Sequence, residues 1–282
     1  MSGIIGGVGS KSKIVGGGVV NTSGAITTTG AFTSTGIDDN SNALAMTIDV
    51  DEKVGIGVTN PGDYDGTGDK LVVGDGSGGN RGITIVSHAN NTGSLNFADG
   101  TTGTEPYKGY VQYQHSTANI MRFGTDGATR MSIDSSGRVT TPYQPAFRAY
   151  LSANQTSNNN WAAVSLNSTS FNIGNHFNTS SSGTNPHAFT APVAGRYFLS
   201  GTFQSMTACS YMYVSLYIND ATMPYLEGRN SGTYGGDMTL SGSLVADLAA
   251  NDSITLYCYN NTADYTIGGT VLRSSMSGYL IG

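Results

Sequence analysis

In GRYFLSGTFQSM (195–206), large apolar residues alternate with small or polar ones, and the same two-residue period returns in SYMYVSLYIND, MTLSGSLVADL, DSITLYCYN and SMSGYLIG. No stretch of the 282 residues carries an i, i+3, i+4, i+7 apolar stripe. A chain with period two and no period 3.6 must form half-buried strands, not helices. The residue types agree, because Gly, Ser, Thr and Asn account for 128 of the 282 positions and all rank low in helix propensity. The 40 glycines have no repeat of three, which excludes collagen. With 38% hydrophobic residues and a net charge of only −6, the chain is also not the composition of simple disorder.

Charge removes further classes. Only 11% of residues are charged, against about 25% in ordinary soluble domains. An acidic chain with a pI near 5.0 lacks the basic footprint of a nucleic-acid binder. There is no run of about 18 apolar residues, so no membrane insertion is expected. The opening MSGIIGGVGSKSKIVGGGVV is too rich in glycine for a signal-peptide core. Cys209 and Cys258 are too few for a disulfide scaffold or a zinc site, and two reduced, buried thiols are expected, although spacing alone leaves pairing open.

Three zones follow from composition. Residues 1–50 form a low-complexity, glycine-rich anchor and stalk, too poor in apolar side chains for the first 45 or so to order without a partner. Residues 51–143 alternate short strand-like runs (KLVVGDGSGG, RGITIVSHANNTG, SLNFADG, GYVQYQH, NIMRFGTDG, RMSIDSSGRV) with Gly, Asp and Asn turns. Pro142 and Pro145 mark the passage to a C-terminal domain, 144–282. The fold class expected is all-β: a glycine-rich anchor and β shaft followed by a β sandwich or jelly roll. Strand 211–218 points Met212, Val214, Leu216 and Ile218 one way and Tyr211, Tyr213 and Tyr217 the other. Strand 254–259 does the same with Ile254, Leu256 and Cys258 against Tyr257 and Tyr259. Since both faces can bury area, the five tyrosines are the expected contact with another subunit. Surface tyrosines without a partner are the plainer alternative.

Catalytic signatures reduce to near misses. Gly74, Gly76 and Gly79 spell a dinucleotide fingerprint, but NRGITIVS after them reads as a strand and not the helix whose N-terminus would hold a pyrophosphate. GGVGSKS lacks the glycine before its lysine and a following helix. His88, His115, His176 and His187 share no ligand spacing, and GDYDGTGD (62–69) lacks the closing glutamate of a calcium loop. No cofactor, no metal and no enzymatic activity are therefore expected. The positive signal is polar: 47 residues between Arg148 and Arg196 carry no Asp, Glu, Lys or Arg. Within them SANQTSNNNW (152–161) and NTSSSGTNPH (178–187) read as exposed loops whose amides, hydroxyls and Trp161 ring can meet sugars.

Family resemblance enters with FNIGNHFN (171–178), FTAPVAGRYFLSG (189–201), DSITLY (252–257) and SGYLIG (277–282). In order and spacing these resemble the globular head of complement component 1q, the tumour-necrosis-factor-like jelly roll, whose resemblance implies a compact trimer. KVGIGVTNPG and GYVQYQHSTANIMRFGTDGATRMSIDSSGRV resemble virion fibre proteins of tailed, particularly marine, bacterial viruses. Together they imply a homotrimeric tail fibre on the virion surface. Its N-terminus would join another virion protein, and its knob would meet a host surface glycan or protein. A head fibre or decoration protein without a specific receptor is the alternative. A surface-polysaccharide depolymerase is a third, for which the chain has no room for the long parallel β-helix usual in such fibres.

Overall fold

The computed structural model describes residues 32–33, 38–39, 45–74, 76, 79–116, 118–158, 160–220, 226–262 and 264–282, with 32–33, 38–39 and 226–234 described by backbone alone. Of the expected anchor and stalk, residues 1–50, only 32–33, 38–39 and 45–50 lie within them. Two compact units are present, one ending at Ile85 and one spanning Val86–Gly282.

In the first unit β1 (Phe32–Thr33) and β2 (Asp38–Asp39) pair antiparallel. A separate sheet joins β3 (Met46–Ile48), β4 (Val54–Ile56) and β5 (Leu71–Val73). The β3–β4 turn closes because the Asp49 carboxylate accepts the backbone N–H groups of Asp51 and Lys53, both at 2.9 Å. β5 returns parallel to β4 after a short 3₁₀ turn at Pro61–Asp63. Gly74, Gly76 and Gly79 all have positive φ, and no helix follows them. The strand expected from RGITIVS does not form either. No described strand pairs with it, and Ile83 and Val86 stand 71% and 88% exposed. Branched residues favour strands only where a neighbour and a buried face exist.

The second unit begins with an antiparallel meander: β6 (Thr92–Phe97), β7 (Gly109–Gln114), β8 (Ile120–Thr125), β9 (Ala128–Ile133) and β10 (Val139–Thr140), neighbours in chain order. Asp126–Gly127, both at positive φ, make the tight β8–β9 hairpin. Gly124 is required beside it: a Cβ there would overlap the Tyr110 ring, whose hydroxyl bonds Thr129 Oγ1 at 2.8 Å.

After Thr140 the chain enters a two-sheet sandwich made of β11 (Ala146–Tyr150), β12 (Gln155–Ser157), β13 (Trp161–Ala163), β14 (Ser168–Ile173), β15 (Ala188–Thr190), β16 (Gly195–Ser205), β17 (Cys209–Ile218), β18 (Leu226–Tyr234), β19 (Met238–Leu248), β20 (Ser253–Asn260), β21 (Tyr265–Ile267) and β22 (Ser275–Leu280). One sheet runs β14-β11-β22-β16-β19, with β21 and β12 continuing from the end of β16. The other runs β13-β20-β17-β18, with β15 also on β20. The chain passes from sheet to sheet between β16 and β17, β18 and β19, and β19 and β20, which is the jelly-roll habit.

The core lies between the sheets. Met212, Val214, Leu216, Ile254, Leu256 and Cys258 are all fully buried, as the alternation of their strands requires. Phe147 stacks on Phe189 with ring centroids 4.5 Å apart, and Tyr197 and Phe203 fill the same layer from β16. Cys209 and Cys258 are free and buried.

Candidate functional site

All five tyrosines singled out in the sequence stand on the outer side of the β13-β20-β17-β18 sheet, and the register explains their meeting. Tyr213 lies opposite Tyr259, which lies opposite Trp161, forming one row across three strands. Ser215 lies opposite Tyr257, and Tyr217 is displaced from it by two residues, within reach of a long ring. Tyr217 and Tyr257 stack at 4.3 Å, Tyr211 and Tyr259 at 5.8 Å, and Trp161 lies 5.1 Å from Tyr259 and 5.8 Å from Tyr213. Trp161 was expected in a loop; it opens β13 instead and completes this aromatic face. The strand that carries it is three residues long, too short for a periodic signal.

These rings lean on one another, which leaves the tyrosines half-buried without any partner chain. A hydrogen bond with Tyr211 and partial burial hold the Tyr259 phenol above its usual titration range. Desolvation, helped by the Asp220 carboxylate, does the same for Tyr257. Both phenols are therefore neutral hydroxyls at ordinary pH, and the register of β18 adds charge to the same rows, with Arg229 opposite Tyr213 and Glu227 opposite Ser215.

A second face went unread in the sequence because it depends on which strands are neighbours. On the outside of the other sheet, Val245, Phe198, Tyr279, Ala146 and Ile173 are successive cross-strand partners over β19, β16, β22, β11 and β14. Val245 is 57% exposed and Tyr279 49%. The next outward rank is Ser243, Ser200, Ser277, Arg148 and Phe171, and the one after it Ser241, Thr202, Ser275, Tyr150 and Ser168. An apolar bar thus crosses a sheet floored mostly by hydroxyl side chains.

The two uncharged stretches are not both loops. Gln155–Ser157 is β12, paired with β21, while 178–187 has no regular strand. Residues from both line a common cavity. Among the described residues no three His, Cys, Asp or Glu side chains come together as a metal site. Asp65 is spent on the N–H and hydroxyl of Thr67, and Asp69 on the Lys53 ammonium at 2.5 Å. Burial pushes the Cys258 thiol up to about 12, leaving it a poor nucleophile. Among the described residues no helix is long and apolar enough to cross a membrane.

An antiparallel two-sheet sandwich with a jelly-roll path and two ordered outer faces defines the class. Residues 146–281 match the family model of the C1q domain, so the C-terminal half of the chain is a C1q/TNF-like globular domain. Among solved structures the chain is similar to the globular domain of zebrafish complement 1qA protein, at 16% identity and TM-score 0.38, covering 49% of this chain and 98% of that one. It is likewise similar to murine APRIL (10% identity, TM-score 0.39, 49% and 99% covered) and to Eiger TNF from S. frugiperda (12%, 0.38, 49% and 94%). No curated protein matches the chain.

Proposed function

We propose that this chain is a homotrimeric virion fibre protein of a bacterial virus, whose C1q-like domain is the attachment knob. Domains of this family are typically binding or structural modules and commonly form homotrimers. The observation that carries the assembly is the bar Val245–Phe198–Tyr279–Ala146–Ile173 over its serine floor, exposed at Val245, Tyr279 and Ile173 and half-buried at Phe198 and Ala146. A row of that exposure and continuity across five strands asks to be covered. The tyrosine face is the second candidate for the contact, supported by the gathering of six aromatic rings on three strands. Exposure favours the serine-floored sheet, since the tyrosine rings already shield one another. The small sheets that precede the knob, and the resemblance of their sequences to fibre proteins, support a shaft joined at its N-terminus to another virion protein.

Light scattering of the purified full chain should give three times the chain mass. Saturating chain should also slow adsorption of whole particles to susceptible cells, and a deletion of residues 2–40 should stay trimeric but fail to enter particles. A monomeric chain refutes the trimer. A trimer that enters particles yet never competes for cells is a decoration protein without a receptor.

A further inference from the structure

The stretches 152–161 and 178–187, separated in the chain by β13 and β14, meet at one cavity of about 490 Å³. That volume falls within the roughly 300–1,000 Å³ of small-molecule sites. Its polar groups are anchored from behind by the backbone. The Gln155 amide donates through Nε2 to the Ala163 carbonyl at 2.9 Å and accepts the Ser165 N–H through Oε1 at 2.8 Å. This fixes the amide plane and leaves one N–H and one lone pair for a ligand. Asn154 and Asn167 each spend Oδ1 on a backbone N–H, of Gly269 and Ser152 respectively, both at 2.9 Å, so each keeps its amide nitrogen as donor.

His187 supplies the opposite polarity. Its Nδ1 is 3.2 Å from the Leu166 carbonyl oxygen, which can only accept. In the neutral ring the proton therefore sits on Nδ1, and Nε2 is left as an acceptor. Hydroxyls of Thr179 and Ser181 can serve either way, and Leu151 adds apolar wall. Among the described residues no Asp, Glu, Lys or Arg lines the cavity. An ionic ligand would shed water there without finding a counter-charge. A ligand with many hydroxyls, each both donor and acceptor, and an apolar C–H face meets every one of these groups.

We infer that this cavity binds a neutral carbohydrate unit, a hexose or N-acetylhexosamine within a longer glycan. The inference deepens the attachment reading by naming its ligand class, and for its biological role it rests on that reading; the cavity itself is built from one chain. The test presents the full-length chain to an array of neutral and of uronate- or sulfate-bearing oligosaccharides, then titrates the strongest neutral binder by calorimetry. Ser181→Trp places bulk on the cavity wall. His187→Asn removes the imidazole while tolerating the φ of 53° at that position. Neutral glycans should bind, and each substitution should weaken binding at least about tenfold with an unchanged melting curve. Preference for the anionic glycans, no binding to any neutral glycan, or neutral binding that survives both substitutions overturns the assignment. A non-trimeric chain that binds neutral glycans upholds the cavity and removes the fibre; a trimer that competes for cells but binds no neutral glycan does the reverse.

Discussion

Phe198 and Tyr279 face each other across β16 and β22 with ring centroids 5.4 Å apart, on the solvent side of a sheet whose next outward rank pairs Ser200 with Ser277. Their neighbours inward, Tyr197 and Leu199, are fully buried. β16 thus serves the core on one side and, on the other, a half-buried Phe198 against the exposed Tyr279 of β22.

That pair separates the two candidate contact faces. Phe198→Glu puts a carboxylate on the serine-floored sheet, and Tyr213→Glu puts one on the tyrosine face. If the trimer closes through the first sheet, light scattering should show Phe198→Glu as monomer and Tyr213→Glu as trimer. The opposite pattern assigns the contact to the tyrosines, and two intact trimers would exclude both faces.

Gly201 sets the distance between the sheets. A Cβ at that position would stand 2.7 Å from Leu256 Cδ1 and 3.3 Å from Leu216 Cδ2, side chains of the opposite sheet. Gly201→Ala should therefore cost about 1–3 kcal/mol by overpacking. Denaturant unfolding monitored by fluorescence would measure it, and a midpoint equal to wild type would show that the leucines have room to move.

How much of this was legible depended on the range of the signal. Alternation in 195–205 and 211–218 told inside from outside residue by residue, because a strand's period is local. It placed Met212, Val214 and Leu216 in the core and gathered Tyr211, Tyr213 and Tyr217 on the other side. Register is not local: that Val245, Phe198 and Tyr279 stand in one row is decided by pairings 47 and 81 residues from Phe198. Trp161 was misplaced for the same reason, its position being fixed by β20 far along the chain. ITIV (83–86) failed the other way, with strand-forming residues and no strand to pair with. The cavity was half legible, since the polar stretches that line it were conspicuous but their meeting was not.

Alkaline pH should expose the burial of Cys258. Its thiol is pushed from an ordinary 9.0 up to about 12, chiefly by desolvation, so folding favours the protonated form. A raised acid pKa contributes stability that is whole below pH 9 and lost as pH climbs from there towards 12. The buried Tyr265 phenol, also raised mainly by desolvation, works in the same direction. Unfolding midpoints should accordingly fall steeply above pH 9, and Cys258 should resist an aromatic disulfide reagent at pH 8 until denaturant is added. Prompt reaction of both thiols in the native chain would contradict the buried placement.

Asn260 ties the two sheets through a polar link inside the core. It is fully buried on β20; its Nδ2 donates to Ser205 Oγ on β16 at 2.8 Å, and its Oδ1 accepts the Thr262 N–H at 2.7 Å. Ser205, equally buried, passes its own proton to the Thr207 carbonyl at 2.9 Å, so the chain of bonds is closed at both ends. Replacing Asn260 with Leu removes the donor and acceptor together and leaves the Thr262 N–H without its partner. The loss should be about 1–3 kcal/mol. Because Ser205 shares the link, Asn260→Leu combined with Ser205→Ala should cost less than the sum of the single changes, by about 0.5 kcal/mol or more. A strictly additive cycle would mean that the two side chains stabilise the sandwich independently, each through its own backbone turn, and that the contact between the sheets at this point contributes nothing.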